Sequence, residues 1–216
     1  SAELAAAQSD DGVGAWDAGG WTVPTGEVEV AGELAAEVVA LGSPFEVDLA
    51  AHRDEHSLEV QLPLLMAVAP GARIVPLAVS VGTGPLAVEA GEHLGRLLAG
   101  RRATGDRIVL AISSDMAHYP PADACARATE ALLPAILGLD PARLASLEQD
   151  MRVAGIRGLA CGMCGIEPAV LGLAALRAMG AVSTAVLAAS TSADAGGPPD
   201  HTVGYLAARF DSGPLS

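Results

Sequence analysis

The sequence predicts an α/β protein, a three-layer sandwich whose central, mostly parallel or mixed sheet carries helices on both faces. Three observations lead there. Apolar, β-rich runs bounded by turn residues recur at 73–82 (RIVPLAVSVG), 106–114 (DRIVLAISS), 183–190 (STAVLAAS) and 202–210 (TVGYLAARF). Stretches with helical spacing lie between them, and strands that alternate with helices build a covered sheet. A chain of 216 residues with 51% hydrophobic content buries a full core, which suits one domain over residues 1–216.

Taken in order, residues 1–26 are rich in Gly, Asp and Ala and read as loop, with one short strand before the turn Pro24-Thr25-Gly26. Ala31 to Leu41 suits an amphipathic helix, with Glu33 and Glu37 four apart, stopped by Gly42-Ser43-Pro44. The strand at 73–82 passes through a Gly-Pro turn into a helix over 85–99. The strand at 106–114 runs into the polar loop DMAHYPPAD. Helices follow at 122–137 and 141–150, the second opened by Asp140 as cap and Pro141 at the first helical position. Gly165 to Met179 forms another helix, its Pro168 near enough to the start to be tolerated. The Gly/Pro-rich loop from Ser192 to Asp200 separates the last two strands.

Charge narrows the function. The 12 basic residues are all Arg, and 26 acidic residues leave a formal charge of −14. That balance repels nucleic acid and anionic membrane, so neither is an expected partner. The absence of Lys excludes a Walker phosphate loop and Schiff-base catalysis. Cys125, Cys161 and Cys164 are odd in number and form no disulfide framework, which suits a reducing cytoplasm. No apolar run reaches the ~20 residues that span a bilayer, and SAELAAAQSDDG lacks the pattern of a secretory signal. The expectation is a cytoplasmic, unexported protein.

Four places carry chemistry. His52, Glu55 and His56 spell H-x-x-E-H, in which two histidines on one helical turn hold zinc and the Glu works on its water. That zinc-hydrolase reading needs a helix through both histidines. Pro63, a residue of first turns, places the helix start after His56 instead. The loop Ser113 to Tyr119 follows a strand end, and its Asp115 and His118, three apart, make an oriented acid–base pair. Cys161-Gly-Met-Cys164 is a C-x-x-C suited to redox chemistry or metal, although two thiolates alone do not close a zinc site. His201 opens the last strand after a Pro-Pro-Asp loop, an exposed turn position by default. His93, mid-helix, reads as surface, and Cys125 as a small buried hydrophobe.

Together, EHSLEVQLPLL (55–65), SSDMAHY (113–119), MCGIEPAVLGL (163–173) and VGYLAARF (203–210) resemble, in order and spacing, the MEMO family, over roughly residues 21–210. The family's fold is similar to that of class III extradiol dioxygenases, non-haem iron enzymes that open catechol rings. The resemblance implies that His118 is the acid/base, that Asp115 is the acidic residue of the same loop and that His56 lines the pocket. Cys164 then stands for the cysteine that replaces a carboxylate metal ligand. The implied cofactor is Fe(II), with copper or zinc as alternatives.

The implied activity is a metal-dependent oxidation of a small aromatic or otherwise oxidisable substrate. The rival readings are a non-catalytic protein that uses the same cleft for a peptide or partner, and the zinc hydrolase above. Family members carry Pro-His-Ala-Gly and Gly-Pro-Ser-His segments whose histidines complete the metal site, and here no histidine precedes His52. The expectation is a chain that lacks the usual N-terminal segment: either that portion is missing from this sequence, or a homodimer mate or partner chain supplies its ligands, or this member has lost the ordinary metal. The loop SADAGGPPDH also departs from the family's Gly-Asp-x-Ser-Gly-Asp pattern.

Overall fold

The structure, a computed structural model, describes residues 12–53 and 56–212, which belong to two compact units dividing after Gly82. In the first unit, the strand β1 (Gly12–Ala15) is the middle of a three-stranded mixed sheet, with all four of its residues buried. On one side β4 (Phe45–Val47) runs parallel to it, Val13 opposite Phe45; on the other β5 (Leu77–Ser80) runs antiparallel, Val13 opposite Val79. Gly14 has no room for a side chain, because a Cβ would press on Ala51 and Asp48 at 3.1 Å. The chain leaving β4 therefore crosses directly over β1.

The strands β2 (Gly20–Val23) and β3 (Gly26–Glu29) form a hairpin about Pro24-Thr25, with Gly26 at φ +140°. Trp21, Val23 and Val28 alternate onto its inner face and pack with Leu62. Leu62 opens α2 (Leu62–Val68), which follows a 3-10 turn at Glu59–Gln61 and carries Pro63 in its first turn. The short helix α1 (Gly32–Val39) buries Ala35 and Val38.

The second unit contains α3 (Pro85–Ala103), α4 (Ala122–Leu137), α5 (Pro141–Val153), α6 (Ile166–Ala178) and the antiparallel hairpin of β6 (Ala181–Thr191) and β7 (Gly204–Ser212). Helix α6 is apolar almost all round, and its run Ala169 to Leu176 is buried without interruption, as befits a core helix. It lies unusually close to α3. At Gly91 a Cβ would collide with the carbonyl of Leu171 and the methyl of Ala174; at Gly95 it would collide with Ala175 and Ala178. The four-residue spacing puts both glycines on one face of α3, so the two backbones touch. Asp140 caps α5 as its sequence suggests, accepting from Arg143 N at 3.0 Å.

The α/β expectation holds, and the five longer helices and the two long strands lie where the sequence places them. The run 106–114 differs. No strand is assigned to it among the described residues, and Val109 is 89% exposed. A strand is a pairing of backbones, and β-branched composition cannot supply the partner. Ile112 nevertheless seats against Gly172 of α6, so the run still packs on the core. In the other direction, β1 and β4 had no sequence signal: Gly-Val-Gly-Ala has little β propensity, and three residues are too few for an alternation.

Candidate metal centre

Two segments of the second unit build the site by pairing with each other. His118 N donates to Cys161 O at 3.1 Å, Ala160 N donates to His118 O at 3.0 Å, and Cys164 N donates to Asp115 O at 3.2 Å. Residues 115–118 and 161–164 are thus laid antiparallel, with Asp115 across from Cys164 and His118 across from Cys161. The other edge of the first segment is tied to the start of β7: Met116 N donates to Gly204 O and Gly204 N to Ala117 O, both at 2.9 Å. Met116 and Ala117 are almost fully buried, so the loop is held on both edges and from below.

The pairing gathers three donors. The carboxylate of Asp115, the imidazole of His118 and the thiol of Cys164 all have a ligand atom within 4.8 Å of one another. Among the described residues this is the one cluster of His, Cys, Asp and Glu that close. Asp115 Oδ2 lies 3.4 Å from His118 Nε2, and Asp115 N donates to Cys164 Sγ at 3.2 Å. Ser114 Oγ accepts from Gly165 N at 2.8 Å and lies 3.8 Å from Cys164 Sγ. Gly165 is required for that approach, since a Cβ there would meet Ser114 at 2.7 Å.

The set fits a transition metal. His118 Nε2 is buried, makes no hydrogen bond of good geometry, and points into the cluster. Leaving such a nitrogen dry without a partner costs free energy that a metal recovers. A carboxylate, an imidazole and a thiolate span hard to soft donors, which suits Fe(II), Zn(II) or copper, and three protein ligands leave positions open.

Around the donors stands a supporting ring. Glu148 of α5 is buried, receives Arg152 Nε at 2.7 and 2.8 Å, and accepts from Gly162 N at 3.3 Å. It thereby pins the turn between the two cysteines to α5. The Cys161 thiol is pushed up from its ordinary value by burial first, then by the neighbouring Cys164 and Glu148. Tyr119, next to His118, is held at φ +74°, and its ring stacks on His201 at 4.4 Å and 6°. Left-handed backbone at a bulky residue is strained and persists only where the surroundings impose it. Here Tyr119 N donates to Thr202 O at 2.6 Å.

Of the four expected pocket residues, the second unit alone brings together Asp115, His118 and Cys164. His56 belongs to the first unit, exposed in the loop ahead of the 3-10 turn, its carbonyl accepting from Val60 N at 3.2 Å. The zinc-hydrolase geometry is not realised. Among the described residues of 52–56 none is helical; Asp54 and Glu55 lie outside the described residues, and His52 is 2% exposed with Nε2 2.9 Å from Gly14 O. Its ring sits edge-on to Trp16 and Trp21, a core position. Cys125 is fully buried and His93 exposed, as expected. Sequence reasoning missed Glu148, Arg152 and Tyr119. The i, i+4 spacing of Glu148 and Arg152 was a legible pair, but nothing local marks an ion pair that reaches another loop.

Fold and site together define an α/β protein with a mixed carboxylate–imidazole–thiolate cluster at a loop pairing. The model of the family described as Memo-like protein matches residues 7–209, and the chain belongs to that family. It is 32% identical over 196 residues to a MEMO1 family protein of Methanopyrus kandleri, covering 90% of this chain and 65% of that one. A MEMO1 family protein of Pyrobaculum aerophilum is 32% identical over 192 residues, with 89% and 64% covered. One of Aquifex aeolicus is 34% identical over 192 residues, with 88% and 66% covered. The chain thus spans about two thirds of the length of the curated relatives it matches.

Proposed function

We propose that this Memo-like protein is a metal-dependent oxidoreductase of the class III extradiol type, acting in the cytoplasm on a small aromatic or otherwise oxidisable substrate. The observation that carries the reading is the convergence of Asp115, His118 and Cys164 within 4.8 Å on two paired loops. Cys164 is the soft ligand, and Fe(II) is the preferred ion, with zinc or copper as alternatives. Bound there, the metal supplies Lewis-acid and redox chemistry.

The protein's own residues do the rest. His118, its Nε2 3.4 Å from the Asp115 carboxylate that orients the ring, takes or gives a proton there in the arrangement in which the metal rests on Cys164 rather than on the imidazole. Tyr119 and His201 form an aromatic wall beside it. The net charge of −14 supports the absence of nucleic acid or anionic membrane among the partners.

The test is anaerobic loading with Fe(II), metal analysis, and oxygen uptake with catechols. Stoichiometric metal and uptake above buffer are expected, and Cys164→Ser lowers metal affinity by at least about tenfold. Stoichiometric metal without uptake leaves a metal-binding protein; no metal and no uptake favour a cleft that only binds a peptide or partner.

A further inference from the structure

We propose that Cys161 and Cys164 are a thiol-oxidation site: a peroxide oxidises Cys164, Cys161 resolves it, and the resulting disulfide withdraws Cys164 from the donor cluster. The covalent step rests on the two cysteines alone, and only its consequence for metal rests on the function proposed above.

Geometry supports the pairing. Cys164 is exposed and Cys161 half-buried, and neither is bonded to another cysteine. The turn that joins them is anchored at both ends to one short segment, Cys161 O to His118 N and Cys164 N to Asp115 O. A disulfide needs Cα atoms about 4.4–6.8 Å apart, and the two cysteines stand three apart in one loop with Gly162 between them. The charge of Cys164 is felt at Cys161, so the two sulfurs lie within electrostatic reach. The third thiol, Cys125, is 0% exposed and directed at Ala117 O, out of the reaction.

The steps balance. The Cys164 sulfur attacks one oxygen of hydrogen peroxide, forming S–O and breaking O–O, and water leaves after taking up the thiol proton. The sulfur is oxidised by two electrons and the peroxide reduced by two. The Cys161 sulfur then attacks the Cys164 sulfur; S–S forms, S–O breaks, and the hydroxyl leaves as water with the Cys161 proton. A dithiol reductant reverses the bond. Without Cys161, the sulfenic acid on Cys164 has no resolving thiol at hand and goes on to the irreversible sulfinic state.

The experiment treats reduced, chelator-stripped full chain with hydrogen peroxide, then counts thiols and maps trypsin fragments by mass. Arg157 and Arg177 bracket both cysteines in one fragment. The expected result is loss of two of the three thiols, a fragment lighter by two hydrogens, and full recovery with dithiothreitol. Cys161→Ser instead gains oxygen on Cys164 that dithiothreitol does not remove. Retention of all three thiols, or sulfinic acid on Cys164 at the same rate with and without Cys161, overturns the proposal.

Cobalt(II) titration of the disulfide form against the reduced form reads the consequence. At least about tenfold weaker binding is expected, and equal binding removes the link to the metal. If neither form binds cobalt, the metal reading fails while the thiol count still decides the disulfide.

Discussion

Cys125 shows how one buried atom sets a pH limit on the whole chain. Burial in α4 pushes its thiol above the ordinary value of 9.0, so the folded state keeps the proton after the unfolded state has lost it. Stability linked to this group is complete below pH 9.0 and falls as pH rises above it, because there the folded chain binds more protons than the unfolded one. The slope reaches about 1.4 kcal/mol per pH unit at most. Urea unfolding at pH 8 and pH 10 checks it: the native chain loses more stability across that interval than Cys125→Ala does. Glu148 makes a second point at this scale. Its carboxylate serves Arg152 and Gly162 N at once, so Glu148→Ala leaves a backbone N–H without its acceptor. A loss of about 1–3 kcal/mol is expected in denaturant melts, with faster amide exchange at Gly162.

Among the elements, α3 carries two glycine environments with opposite consequences. At Gly91 an added methyl meets the backbone of α6, whereas at Gly100, in the same helix, nothing lies within 4 Å. Gly100→Ala gains about 0.5–1 kcal/mol from helix propensity alone. In Gly91→Ala that gain is outweighed by overpacking, which runs to about 1–3 kcal/mol. Thermal melts of the two variants should move in opposite directions. The elements also show what a sequence discloses. Helix α5 was legible to its cap because Asp140 and Pro141 act within one turn, and α4 because its periodicity is complete in itself. The run 106–114 has the composition of a strand, yet pairing is a property of two segments, and only one of them is read at a time. The site divides the same way. Asp115 and His118 stand three apart in one loop, and Cys164 was reached through a family motif; no local pattern reveals that the loops holding them are antiparallel partners.

The whole molecule is strongly acidic, and self-repulsion among 26 carboxylates and 12 guanidiniums opposes its compaction. Raising sodium chloride from 10 mM to 150 mM shortens the screening length from about 30 Å to about 8 Å. Stability should rise by on the order of 1 kcal/mol, or about 2–4 °C in Tm for a chain of this size. A fall in Tm with salt would show that attractive ion pairs such as Arg177–Glu92 outweigh the repulsion.

One hydrogen bond described above has a topological side. His118 N and Cys161 O stand 3.1 Å apart, so the chain that departs at Tyr119 to build α4 and α5 comes back at Ala160 to the point it left. Everything between is an excursion on a closed frame. Its outer surface can be exchanged by design without displacing a donor atom. The conditions are that Glu148 stay aimed at Gly162 and that Cys125 and Ala128 keep packing on Ala117.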